Sequence, residues 1–227
     1  MKNVCLIPAR GGSKRIPRKN IKEFHGKPLI AWSIECAISS NLFEDVYIST
    51  DDDEIAEIAS KYGAKIPFKR PKDISNDISL DSDVRDHFIS WLRKKDIKAD
   101  FLCYLYPTAP FITHETLNGC FQSILNSNYD CVFTVTTFPY SPLRALKKNE
   151  NNNLTFMWEK FQNMRSQELP ELFHDAGQCY FFNLNKKINN GYGIRFGYEL
   201  PRYLCQDIDT YEDFQMAEKL FSIMRNL

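Results

Sequence analysis

An α/β fold, with a mainly parallel sheet wrapped by helices, is predicted by three observations. Short apolar runs alternate with amphipathic segments, those segments break at glycine or asparagine, and no internal repeat or disordered linker interrupts the pattern. At 227 residues, 43% hydrophobic and 14% aromatic, the chain is long enough for one sizeable core, so 1–227 is expected to be a single domain.

The predicted strands are Asn3–Pro8, Val46–Ser49, Lys65–Phe68, Phe101–Tyr106 and Asp130–Thr136, runs of strand length rich in branched and aromatic residues. Between them, Pro28–Ser40 opens on a proline and repeats apolar residues at helical spacing, as do Asp53–Tyr62 and Glu115–Asn126. These are the expected crossover helices. The pattern changes from Phe138 to Pro170, where a proline-bearing stretch precedes KKNENNNLTF, a polar turn between two strands. This is an excursion from the main sheet. The chain returns through Gly177–Asn183 and Arg202–Asp207 and closes on a helix from about Tyr211 to Met224.

Lysine plus arginine (29) balances aspartate plus glutamate (29), so neither nucleic acid nor a membrane surface is an expected partner and any anion site must be a local cluster. The seven cysteines show no C-x-x-C spacing, which argues against zinc and a disulfide framework. The opening residues lack a signal-like apolar core and no run approaches the roughly 18 apolar residues of a membrane span. The expectation is a reducing, cytoplasmic location.

That local cluster is IPARGGSKRIPRKN, Ile7–Asn20, between the first strand and the first helix, where open α/β sheets bind ligands. Gly11 and Gly12 permit close backbone approach and positive φ, which would let successive N–H groups form an anion nest; Arg10, Lys14, Arg15, Arg18 and Lys19 supply charge. Neither G-x-x-x-x-G-K-[ST] nor G-x-G-x-x-G is present. The alternative is a solvated basic turn. A second cluster is QDIDT, Gln206–Thr210: aspartates two apart on extended chain point the same way, so Asp207 and Asp209 can share one Mg²⁺ with phosphate oxygens. Capping of the last helix by Asp209 or Thr210 explains the same residues. STDDDE, Ser49–Glu54, has the form of a helix N-cap with an acidic first turn. On spacing alone Arg70 is a surface charge at a proline-restricted turn, and His174 with Asp175 is a local hydrogen-bonded pair.

IPARGGSKRIPRKN, ISTDDDEIAEIASKYGA, PFKRP, YLYPTAP, HDAGQCY and QDIDT occur in the order found in the acylneuraminate cytidylyltransferase family, which the chain resembles from end to end. The resemblance implies a Rossmann-like nucleotidyltransferase fold, a homodimer built on the 138–170 excursion, and transfer of CMP from CTP to a nine-carbon 2-keto-3-deoxy sugar acid with release of pyrophosphate. It assigns Arg10, Gly11, Gly12, Ser13, Lys14, Lys19, Asn20 and Arg70 to the nucleotide, Asp207 and Asp209 to Mg²⁺, and Arg10, Lys19, Asp207 and Asp209 to catalysis. Tyr106 stands where N-acetylneuraminate enzymes carry glutamine, and Ala176 replaces an asparagine. Together with Arg165, Gln167 and HDAG with a tyrosine after two intervening residues, these resemble the branch that acts on pseudaminic acid, with Tyr106, Arg165, Gln167, His174, Asp175 and Gln178 at the sugar. N-acetylneuraminate and legionaminate are the alternative acceptors. From another class, the rival is a catalytically silent nucleotide-binding module.

Overall fold

The computed structural model describes residues 1–186 and 193–225. The first half holds β1 (Asn3–Pro8), a short ribbon of β2 (Glu23–Phe24) and β3 (Lys27–Pro28), α1 (Leu29–Ser39), β4 (Asp45–Ser49), α2 (Asp53–Lys61), α3 (Asp81–Lys94) and β5 (Phe101–Leu105). There follow α4 (His114–Leu125), β6 (Cys131–Thr137), a second ribbon of β7 (Leu146–Lys148) and β8 (Leu154–Phe156), β9 (Phe173–Asn183), β10 (Arg195–Glu199) and α5 (Tyr211–Arg225). Six strands form one sheet in the order β4-β1-β5-β9-β6-β10. All neighbours run parallel except β9, which is antiparallel to both β5 and β6.

Strands buried on both faces read as unbroken apolar runs, and β1 and β5 do so because helices cover both sides. Cys5, Ile7, Cys103 and Leu105 face one side, where Ile30, Ile34 and Ala37 of α1 and Leu117, Cys120 and Ile124 of α4 pack. Val4, Leu6, Leu102 and Tyr104 face the other, against Phe88 and Leu92 of α3. Each fully buried side chain of this size contributes roughly 1.5–3 kcal/mol. A third cluster joins Phe214, Ala217 and Phe221 of α5 to Phe24 and to Ile16, which anchors the basic loop to the end of the chain.

Four features differ from the sequence reading. Helix α3 was not expected; its Val84, Phe88 and Leu92 recur every four residues, but charged neighbours dilute the stripe. Lys65–Phe68 is not a strand: only Lys65 and Lys69 make isolated bridges, to Tyr47 and Thr50. Arg202–Leu204 is a single 3₁₀ turn rather than the start of a strand. The return through 177–183 belongs to the longer β9, and β10 supplies an edge strand that periodicity did not reveal.

Candidate active site

A cavity of about 580 Å³ opens at the carboxyl ends of β1 and β5. The strands that follow β1 lie on opposite sides of it, the switch point at which open α/β sheets bind ligands. Arg10, Ser13, Lys14, Arg15, Lys19 and Asn20 line it from the loop after β1, Arg70 from beyond β4, Tyr106–Thr108 from beyond β5, and Asp207 and Asp209 from before α5.

Each loop residue has a definable task. Asn20 is buried and donates from Nδ2 to the Arg10 carbonyl at 3.0 Å, fixing the start of the loop. Arg10 Nη1 lies 2.8 Å from Asp77 Oδ1, and Lys14 pairs with the other oxygen of that carboxylate. Lys19 Nζ donates to the Ile208 carbonyl at 2.5 Å and lies 3.3 Å from Asp209 Oδ1, which also pairs with Arg15 at 2.8 Å. Arg18 does different work. In the left-handed region at φ 58°, it turns away to grip Asp52 and Glu54 at the start of α2. Its hydrogen bonds hold the Asp52 carboxyl at about 2, while Asp52 also caps α2 by accepting from Ile55 N at 3.0 Å.

Neither Gly11 nor Gly12 adopts positive φ, so the expected nest is not formed. Glycine is required at 11 for space: a Cβ there would fall 2.6 Å from Asp52 Oδ2, and the Gly11 N–H is spent on Asp51 Oδ1 at 2.9 Å. Arg70, 5% exposed, is aimed by bonds from Nε to Ser49 Oγ at 3.0 Å and from its terminal nitrogen to the Ser49 carbonyl. Burial lowers its pKa, opposed by the nearby acids and Tyr104, so an anion entering the cavity would meet a guanidinium stripped of most of its water.

At the opposite wall, Ile208 points into the core with no exposure while Asp207 and Asp209 line the cavity, as alternation along extended chain requires. Of the two residues expected as possible caps, Thr210 takes the role and Asp209 does not. Thr210 Oγ1 accepts from Asp213 N at 3.2 Å, and the Asp213 carboxylate accepts from Thr210 N at 2.7 Å, a reciprocal box that leaves both upstream carboxylates free of the helix. Burial, then the Asp209 charge, pushes the Asp207 carboxyl above its usual value. Asp207 makes no ion pair among the described residues. Two carboxylates lining one cavity wall fit a divalent cation completed by phosphate oxygens and water. Among the described residues no group of three or more His, Cys, Asp or Glu could hold a metal by itself.

A second cavity of about 210 Å³ adjoins the first, and Asp81 and Tyr106 line both. Its walls are Tyr104, Tyr106 and Tyr180, the carboxylates of Asp81 and Asp175, the guanidiniums of Arg85 and Arg195, and the rings of Phe133 and Phe182.

Against known proteins, the cytidylyltransferase family model matches residues 4–225. The chain belongs to the cytidylyltransferase family. It is 42% identical over 226 residues to the pseudaminic acid cytidylyltransferase of Campylobacter jejuni, covering 98% of this chain and 97% of that one. The CMP-N,N'-diacetyllegionaminic acid synthase of Legionella pneumophila is also 42% identical, over 235 residues, with the same coverage. The CTP complex of CMP:2-keto-3-deoxy-manno-octonic acid synthetase superposes at a TM-score of 0.71 and 18% identity, covering 99% and 100% of the two chains, a likeness of fold.

In this cytidylyltransferase the residues predicted for the nucleotide and metal therefore gather in one cavity, apart from Gly11 and Gly12, which shape the loop beside it. The predicted sugar residues divide. Tyr106 and Asp175 line the second cavity, whereas Gln178 is buried with Nε2 donating to the Leu204 carbonyl. His174 packs on Phe138 with ring centres 4.7 Å apart, and Arg165 and Gln167 are exposed on the excursion, outside the lining of both cavities of their own chain. Sequence reasoning missed Asp77, Asp81 and Arg85, which come from α3 and the turn before it. The spacing of Val84, Phe88 and Leu92 was the available signal.

Proposed function

We propose that this cytidylyltransferase transfers CMP from CTP to the anomeric 2-hydroxyl of pseudaminic acid and releases pyrophosphate. The observation that carries the reading is the first cavity, in which Arg10, Lys14, Lys19 and Arg70 surround a space closed by Asp207 and Asp209, with a compartment walled by phenols and carboxylates beside it. Four cations at one sheet edge suit a triphosphate, and the adjoining compartment suits a polar, methyl-ended acid.

The reaction is an in-line displacement at the α-phosphorus: the bond from the sugar oxygen forms as the bond to pyrophosphate breaks, with no covalent enzyme intermediate. Charge grows on the leaving phosphates, and Arg10, Lys14 and Lys19, which line the cavity, would meet it. Asp77 is the counter-ion of Arg10 and Lys14 in the free protein and must yield them to the triphosphate. Arg70 fixes the nucleotide against the end of β4. A Mg²⁺ held by Asp207 and Asp209 would neutralise phosphate charge and lower the pKa of the attacking hydroxyl. Catalysis is thus assigned to Arg10, Lys19, Asp207 and Asp209.

The excursion at 138–170 is read as a dimerisation arm. Leu146, Leu154 and Met157 are each at least half exposed on it, a cost in water that a second copy would remove. Packed across a two-fold axis, the arm would bring Arg165 and Gln167 to the partner's acceptor compartment. Seven free cysteines support a reducing, cytoplasmic setting, and among the described residues no helix is long and apolar enough to cross a membrane.

The test offers CTP and Mg²⁺ with pseudaminic, legionaminic, N-acetylneuraminic and 3-deoxy-octulosonic acids and measures pyrophosphate. Pseudaminic acid is expected to give the highest kcat/KM. The equal identity to the Legionella relative makes legionaminic acid the second reading. A preference for N-acetylneuraminate would overturn the assignment, and no pyrophosphate with any acid would favour a silent nucleotide-binding module.

A further inference from the structure

The second cavity is unusual in where its protons go. Tyr104 donates its hydroxyl to Asp81 Oδ1 at 2.7 Å and Tyr106 donates to Oδ2 of the same carboxylate. Tyr180 donates to Asp175 Oδ2 at 2.6 Å, and the other oxygen of Asp175 accepts from Gly177 N at 2.8 Å. A phenol has one proton and an ionised carboxylate has none. All three phenols have therefore committed their only proton to the wall. What their oxygens can still offer a guest is lone pairs. Burial, reinforced by Asp81, raises the pKa of Tyr106, so that phenol keeps its proton across the physiological range.

We propose that Asp81 is a specificity-setting positioning residue for the acceptor: by accepting the Tyr106 hydrogen bond it makes the lip between the two cavities an acceptor-only surface, which selects sugar acids carrying two N–H groups. The substrate class is the 5,7-diacylamino nonulosonic acids. Each acylamino nitrogen presents one N–H donor and no lone pair that needs a partner, whereas the hydroxyl of N-acetylneuraminate at that place can donate but also brings oxygen lone pairs, which an acceptor-only lip leaves unpaired. Arg85 and Arg195 supply donors for the carboxylate and acyl carbonyls from the far wall. Asp81 occupies the first turn of α3, with its neighbour Leu80 N held by Asp83 Oδ2 at 2.9 Å, so the carboxylate that orients the phenols is placed by a capped helix rather than a loop. Tyr106 meets Tyr180 edge-on at 5.7 Å, and Phe133 stacks on Tyr180 at 5.8 Å, which leaves the rings little freedom to turn.

The inference rests on the acceptor being a nonulosonic acid bound beside CTP, and the experiment separates the two. In Asp81→Asn the amide donates to the Tyr106 oxygen and turns the phenolic proton toward the guest. KM for pseudaminic acid should rise about tenfold or more while KM for CTP stays within about threefold, and the preference over N-acetylneuraminate should shrink by a similar factor. Tyr106→Phe, which deletes the acceptor oxygen, should give the same loss, and adding Asp81→Asn to it should cost no more than about twofold further. Equal rises in both KM values would assign Asp81 to the nucleotide and overturn the proposal. So would an unchanged preference among acids in either variant, and Tyr106→Phe decides the matter if Asp81→Asn does not fold. If the unmodified enzyme itself prefers neither diamino acid, the functional reading fails first, and the preference lost in the variants is then no longer for N–H donors.

Discussion

Lys19 joins the basic loop to the acidic pair, and Lys19→Ala tests whether that junction is chemical or only structural. Its side chain is 17% exposed and holds two acceptors, the Ile208 carbonyl and the Asp209 carboxylate. Removing it leaves the buried Ile208 carbonyl without this donor, while Asp209 keeps Arg15, so the fold should lose roughly 1–2 kcal/mol. In a chain of this size that lowers Tm by only about 2–8 °C. Loss of one charged donor from the place where phosphate charge grows costs about 3–4 kcal/mol of transition-state stabilisation, a fall in kcat of about 10²–10³-fold. The two effects differ enough to be told apart. Pyrophosphate release at saturating CTP and acid, beside a thermal melt of the same sample, is the assay. A variant that melts a few degrees early yet turns over within about threefold of the parent would show that Lys19 is only a strut between loop and C-terminal segment.

Asp209→Asn should raise the Mg²⁺ needed for half-maximal turnover by about tenfold or more with little change in Tm, because Thr210 and Asp213, not Asp209, cap α5; titration of activity with Mg²⁺ checks this. Asp52, held at about 2 by Arg18, stabilises the fold by roughly 1–2 kcal/mol. A depressed carboxyl contributes fully above its unfolded value near 4 and loses that contribution as pH falls through about 2, so denaturant midpoints of the parent and Asp52→Asn should converge between pH 5 and pH 2. Leu154→Glu with Met157→Glu should turn a dimer into a folded monomer by light scattering; a parent that is monomeric and fully active would remove the arm's assigned role.

The sequence made legible the features that depend on local chemistry. The loop after β1 announces itself by five cations and two glycines, and β1 and β5 by their apolar runs. What escaped was set by tertiary context. Both alternatives for Asp207 and Asp209 were physically sound, and sequence could not show that Thr210 and Asp213 cap α5 and leave the Asp209 carboxylate out of the cap. Arg18 counted with the other loop cations, yet its left-handed backbone and the acids of α2 take it out of the cavity. The direction of β9 has no periodic signature, since parallel and antiparallel strands alternate alike. Asp81 was missed with its helix, because Val84, Phe88 and Leu92 form a narrow stripe among charges.

The reversed direction of β9 carries a consequence for how this molecule can be rebuilt. Because β9 runs against β6, the chain leaves the sheet at Thr137 and re-enters at Phe173 as its cross-strand neighbour, with Phe138 N bonded to the Leu172 carbonyl at 3.2 Å. Had β9 been parallel, the intervening residues would have had to travel back to the opposite rim of the sheet. Instead the arm hangs from a single doorway whose two posts are already tied. Such an insertion point is modular: splicing residues 138–172 into a tight turn would keep every rung of the β6–β9 ladder, and a different arm could be grafted there without re-engineering the other strands of the sheet.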